Sequence, residues 1–96
     1  LRRQSLALLD ELITVLRALA VGQAPAGAVT AWSSCFRLTG AALTLWPEDA
    51  SVVRAALKGA GEVIGVAAVT PSGATKLTPQ QALDRVVEAR DAWSEP

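Results

Sequence analysis

Three carboxylates near the end of the chain have a spacing that could support chemistry. Asp84, Glu88 and Asp91 are four and three residues apart, which places them on one side of a helix. A hard cation or a pair of glycosidase carboxylates would need such a grouping of oxygen ligands. The residues around them are mostly polar and charged, so we interpret the three as a solvated helix face rather than a metal or catalytic site.

The glycines at 59, 61 and 65 invite comparison with a nucleotide-binding loop. A dinucleotide fingerprint requires G-x-G-x-x-G directly after a strand. Here Ile64 occupies the sixth position, and the preceding residues favour a helix. We therefore predict that Gly59, Gly61 and Gly65 allow close helix packing, with a local break of the helix as the alternative.

Nucleophilic and metal chemistry have few residues available to them. The chain has one cysteine and no histidine, which excludes an internal disulfide, His-based metal sites and His-dependent triads. Cys35 has apolar neighbours at helical spacing and no adjacent base, which is typical of a buried free thiol. We expect a protein that is not an enzyme and that holds no cofactor or metal.

Arg37 is the one charged residue between positions 22 and 47. Its stem is expected to pack on apolar neighbours while its head reaches water or an acid. The candidate acids are Asp10, Glu11 and Glu62. Alternatively, Arg37 anchors a partner's carboxylate or an anionic ligand, together with Ser33 one turn away.

The composition limits the function classes further. Of the 96 residues, 51% are apolar and 19% are charged, and the formal net charge is zero. This balance argues against a nucleic-acid surface, which needs a basic excess, and against disorder, which needs a polar chain. The abundance of Ala, Arg and Gly without Asn suggests a GC-rich bacterial or phage genome. We expect a cytoplasmic protein, and the initial Leu1 leaves open whether the chain is a piece of a longer one.

Periodicity predicts four helices, at about 4–21, 28–46, 48–69 and 78–93. The first has two apolar seams, so we expect it to have two neighbours. The second carries almost no charge and is predicted to be the most buried. It is long enough to span a membrane, but Arg37 at its centre and several hydroxyl residues argue against insertion.

The ends of the other two helices carry different signals. Gly59 and Gly61 weaken the third helix, and an alternative is a strand over 63–70, for which the chain offers no partner run. The fourth helix has the clearest start, since Thr78, Pro79 and Gln81 form a capping-box pattern.

These features predict one all-α domain over residues 1–96, a small four-helix bundle or an orthogonal helical array that oligomerisation could complete. The surplus of apolar helix surface favours a non-enzymatic interaction or oligomerisation module, binding itself or another helical protein as a structural subunit of a larger assembly such as a phage or secretion particle. The candidate interface residues are Leu9, Leu12, Leu16, Trp32, Phe36, Arg37 and Trp93. The alternatives are a small apolar-ligand binder, with a cavity between the second and third helices beside Trp32, Phe36 and Trp46, and a DNA-associated regulator using Arg2, Arg3, Arg54 and Lys58.

Overall fold

The computed structural model describes residues 2–45, 50–65 and 77–94. These ranges contain four helices and no strand. The helices are α1 (Arg2–Ala20), α2 (Ala28–Leu45), α3 (Ala50–Ile64) and α4 (Pro79–Ser94). They pack against one another in a bundle-like array, so the all-α prediction is confirmed.

Each helix packs mainly against two others. α1 contacts α2 and α4, and α3 contacts the same two helices, so the four form a closed ring. Of the four neighbouring pairs, α2 and α3 share the smallest contact. The two neighbours of α1 confirm what its two seams predicted, and Leu9, Leu12 and Leu16 are fully buried between them.

Glycines end the helices at two of the connections. After α1, the N–H of Gln23 donates to the carbonyl of Ala18 at 2.9 Å, and Gly22 has a φ of 84°. This is the left-handed conformation that commonly ends a helix and that glycine adopts without strain.

The third helix differs from its prediction. It runs without a break through Gly59 and Gly61 and ends at Ile64, where Gly65 has a φ of 91° and donates to the Gly61 carbonyl at 2.9 Å. Val63 and Ile64 are therefore helical, and the strand alternative fails for them. The remaining residues of that alternative, 66–70, lie outside the described residues, as do Trp46 and the predicted start at 48–49.

The predicted capping box at the start of α4 is confirmed. The N–H of Gln81 donates to Thr78 Oγ1 at 3.1 Å, and the N–H of Thr78 donates to Gln81 Oε1 at 3.0 Å. The two side chains thus satisfy two main-chain donors that a helix start leaves open.

The core lies on the inner faces of all four helices, and α2 is not its centre. Val29, Phe36 and Leu45 of α2 are exposed, so the prediction that this helix is the most buried is wrong. The prediction rested on the low charge of α2, which does not determine burial. Only the side of α2 with Trp32 and Cys35 faces the core. No helix in the described ranges is both long and apolar enough to cross a bilayer.

Candidate functional site

Five of the seven predicted interface residues lie in this chain's own core. Leu9, Leu12 and Leu16 have no exposed surface, and Trp32 and Trp93 are 4% and 1% exposed. The four helices of one chain cover them, so a partner cannot reach them while the fold is intact. The two that remain at the surface are Phe36 and Arg37, both on α2.

Phe36 is held at the surface by a buried neighbour. Its ring stacks on that of Trp32 with the centroids 4.9 Å apart and the planes 14° from parallel. The indole N–H of Trp32 in turn donates to the main-chain carbonyl of Leu57 on α3 at 2.7 Å. The aromatic pair therefore continues the core outward, and Phe36 remains 45% exposed.

A groove runs beside Phe36 where α2 and α3 meet. One part of it, of about 280 Å³, is lined by Phe36, Gly40, Arg54 and Leu57. An adjoining part, of about 320 Å³, is lined by the same phenylalanine and arginine together with Ala55 and Lys58. Gly40 and Ala55 bring little or no side chain to the space between the helices, so the groove is open and its floor is mainly apolar.

Two cations line this groove. Arg54 and Lys58 lie one turn apart on α3. A third cation, Arg37, follows Phe36 on α2 but is not part of the lining. All three are exposed, and within the described part of the chain none of them has an acidic partner within ion-pair distance.

None of the three acids predicted as partners of Arg37 forms an ion pair with it in the described part of the chain. Asp10 accepts hydrogen bonds from Arg90 Nε at 2.5 Å and from its Nη2 at 3.3 Å. The hydrogen bond and charge of Asp10 raise the pKa of Arg90 above its ordinary value. In the described part of the chain no ion pair joins Arg37 to Glu11 or Glu62, and the Arg37 side chain is exposed.

The glycines predicted to allow close packing take different roles. A methyl group on Gly59 would lie 2.9 Å from Leu77 Cδ1, so this position is tightly packed against the segment before α4. Gly61 is buried in α3. Gly65 is exposed, and an added Cβ there would meet none of the described residues within 4 Å. Gly65 thus ends the helix and does not serve a close contact.

Cys35 is an inert thiol in this structure. It has no exposed surface, and its Sγ lies 3.8 Å from the hydroxyl of Thr39. Burial raises its pKa to about 11, a shift that the Thr39 contact partly offsets. The thiol therefore stays protonated near neutral pH, as expected for a small buried hydrophobe.

The carboxylate face of α4 borders a second groove, on the opposite side of the helix ring, between α1 and α4. Its lining includes Arg17, Asp84, Glu88 and Asp91, around about 570 Å³. The three acids are exposed, and Asp84 accepts a hydrogen bond from Gln80 at 2.9 Å. Among the described residues, no three of the potential ligands lie close enough together to hold a metal ion.

The sequence predicted a cavity beside Phe36 between the second and third helices, but it named Arg54 and Lys58 only as possible DNA contacts and did not identify Gly40 and Ala55. Arg54 and Lys58 carry a signal, since they are cations one turn apart on the polar side of the third helix. Which face of α2 they adjoin depends on the packing of the two helices, and periodicity within one helix does not contain that information.

In comparisons with protein-family models, with curated proteins and with solved structures, nothing matches this chain. The residues of the chain itself are therefore what supports an assignment of function.

Proposed function

We propose that this protein is a non-enzymatic helical interaction module that binds another helical polypeptide over the exposed face of α2 and the groove beside it. The observation that supports this best is the exposure of Phe36, 45%, directly outside a buried tryptophan. Single exposed apolar residues are common and need no explanation. Phe36 is different because it adjoins an apolar groove, and because Val29, two turns earlier on the same face, is 51% exposed.

The low charge of α2 gives independent support. A helix that faces water usually carries a charged stripe on its outer side. The 18 residues of α2 contain a single charge, at Arg37. The exposed positions of this helix are Val29, Thr30, Phe36, Arg37, Gly40, Ala41, Thr44 and Leu45. A surface of apolar, small and hydroxyl side chains is well suited to being covered by a second helix.

The size of this surface fits a helix rather than a large globular partner. Burying the exposed part of one phenylalanine ring contributes on the order of 2 kcal/mol before association costs. Stable protein interfaces bury about 1,200 Å² or more in total, so Phe36 alone cannot hold a partner. With its 18 residues, α2 is about 27 Å long and offers a continuous line of contact along that length.

A second candidate function is the binding of a small apolar molecule in the groove. The apolar side chains of Phe36 and Leu57 favour it, and the volume of about 280 Å³ between them is near the lower end for ligand sites. It is the weaker candidate, since ligand sites enclose most of the ligand and this groove is open along its length.

The test combines self-association with binding of an apolar dye. Light scattering coupled to size exclusion would be run over a wide concentration range for wild type and the Phe36→Gln variant. Val21→Gln is the matched control, since Val21 is 73% exposed in the α1–α2 connection, away from the groove. Binding of anilinonaphthalene sulfonate would be measured on the same three proteins.

A discrete oligomer that Phe36→Gln dissociates would support the proposal with a second copy as partner. A monomer whose dye binding is reduced by Phe36→Gln but not by Val21→Gln would support it with a different partner. A monomer that fails to bind the dye, or whose dye binding is the same in all three proteins, would overturn the proposal.

A further inference from the structure

The chemistry of a partner for the α2–α3 groove can be inferred from the residues around it, and this inference rests on the proposed function. The floor and one wall are apolar, formed by Phe36, Gly40, Ala55 and Leu57. A partner must therefore present apolar side chains to the groove. Those side chains must be spaced along one line, because the groove follows the direction of α2 and α3.

The rim selects for negative charge. Arg54 and Lys58 line the groove beside Phe36 and are exposed without an acidic partner among the described residues. A partner carrying basic residues at these positions would be repelled by both. A partner carrying Asp or Glu there would form up to two ion pairs across the rim, which raises the association rate and fixes the register.

A second copy of this chain fits this pattern poorly. If two copies met through the same face, Arg54 and Lys58 of one would approach the same two cations of the other. The acidic face of α4 in a second copy has the right charge, with Asp84, Glu88 and Asp91. The exposed side chains of α4 are polar or, at Ala92, small, and Val87 beside the acids is half-buried, so that face offers little to fill the groove beside Phe36.

We infer that the groove between α2 and α3 binds an amphipathic helix of a different protein, with leucine-like side chains on one face and acidic residues flanking them. Helix-in-groove recognition reads apolar anchors at positions i, i+3, i+4 and i+7 of the partner. Phe36 and Val29, seven residues apart on α2, offer two contact points at the matching spacing. Gly40 lets the partner's backbone approach α2 closely one turn beyond Phe36.

The probe is a dye-labelled 18-residue peptide that has Leu at the four anchor spacings and Glu at the flanking positions. A peptide with Lys in place of every Glu and a peptide with Ala in place of every Leu serve as comparison probes. Fluorescence anisotropy at low and at high salt measures their affinity for the intact chain. We expect the Glu/Leu peptide to bind about tenfold or more tightly than either comparison peptide at low salt, and this advantage over the Lys peptide to shrink at high salt.

The decisive variant is Arg54→Glu with Lys58→Glu, and its matched control is Arg3→Glu with Arg17→Glu. Both double variants change the net charge by the same amount, and all four residues are exposed. We expect the rim variant to lose the preference for the Glu/Leu peptide and the α1 variant to keep it. Phe36→Gln should weaken binding of the Glu/Leu peptide severalfold, which shows that the apolar contact is part of recognition.

The inference would be overturned if the Glu/Leu peptide bound no more tightly than the Lys peptide, or if the rim variant kept the preference. It would also be overturned if the Glu/Leu peptide did not bind while phosphatidylglycerol vesicles, or free dodecanoate, bound in a way that Phe36→Gln abolished. If the peptide experiment failed but light scattering showed an oligomer that depends on Phe36, the proposed interaction module would be retained with a second copy as its partner. If dye binding also did not depend on Phe36 and no such oligomer formed, both the proposed function and this inference would be overturned.

Discussion

The indole N–H of Trp32 donates a 2.7 Å hydrogen bond to the main-chain carbonyl of Leu57 and so joins α2 to α3 beneath the groove. These two helices share the smallest contact of the neighbouring pairs, and this bond is a buried polar link between them. On the outer side of Trp32, the ring of Phe36 stacks on the same indole. The position of the exposed ring is thus fixed by the core rather than by the surface.

Replacing Trp32 by Phe is expected to destabilise the fold by about 1–3 kcal/mol. The change removes the donor to Leu57 and part of a ring that is 4% exposed. Urea unfolding followed by far-UV circular dichroism measures the effect. Val21→Ala, at a largely exposed position, should change stability by no more than about 0.5 kcal/mol. Equal stabilities of the tryptophan variant and wild type would mean that the bond does not join the helices in solution.

Replacing Leu12 by Ala is expected to cost about 2–5 kcal/mol, since the side chain is fully buried between the helices of one chain. Leu45→Ala, at a position 62% exposed, should cost far less. The unfolding midpoint of the Leu12 variant should not depend on protein concentration. If the unfolding midpoint rose with protein concentration in wild type but not in the Leu12 variant, Leu12 would lie in an interface between chains instead.

Replacing Thr78 by Ala is expected to cost about 0.5–2 kcal/mol, because the N–H of Gln81 loses its acceptor at the start of α4. Thr44→Ala is the matched control. Thr44 is also an exposed helix threonine, but its hydroxyl donates to the Gly40 carbonyl within the helix and caps no free end. Thermal unfolding of the two variants should separate them, and equal losses would contradict a capping role.

The sequence contains the features that repeat within one helix and lacks those that arise between helices. The two seams of α1 and the capping box of Thr78 and Gln81 are local patterns, and both are confirmed. The burial of Trp93 and the exposure of Phe36 depend on which helix faces pack together. Both are large aromatic residues in predicted helices, so the sequence does not distinguish the buried one from the exposed one. The spacing of Gly65 from Gly61 predicts a close helix contact, whereas the positive φ that Gly65 adopts depends on the path of the chain and is not visible in the spacing.

Raising the pH is expected to weaken the fold through Cys35. Burial raises the pKa of this thiol from 9.0 to about 11, so the folded state keeps its proton over a range in which the unfolded chain releases it. The unfolded state then binds fewer protons, and stability falls as pH rises between these two values. The loss attributable to Cys35 is about 1–3 kcal/mol.

A comparison with Cys35→Ala isolates this effect, because lysines and arginines titrate in both proteins. The stability advantage of wild type over the variant, measured by urea unfolding, should be constant below about pH 8 and narrow above pH 9. An advantage that stays constant into the alkaline range would show that the thiol ionises as readily in the folded chain as in the unfolded one.

Replacing Gly40 or Gly65 by alanine is expected to change the stability of the fold in opposite directions. Gly40 lies inside α2, where an added Cβ would meet no atom of the described residues within 4 Å, so Gly40→Ala should stabilise the fold by about 0.5–1 kcal/mol. Gly65 has a φ of 91°, so Gly65→Ala should destabilise it by about 1 kcal/mol. Thermal unfolding decides the signs.

The same methyl group on Gly40 would stand in the groove beside Phe36, at the position where a partner helix must approach α2. We therefore expect Gly40→Ala to bind the Glu/Leu peptide severalfold more weakly although its fold is more stable. Anisotropy on the variant and wild type measures this. If the more stable variant bound the peptide equally well, Gly40 would be a helix weakness unrelated to binding, and the partner would have to pass over α2 at a different point.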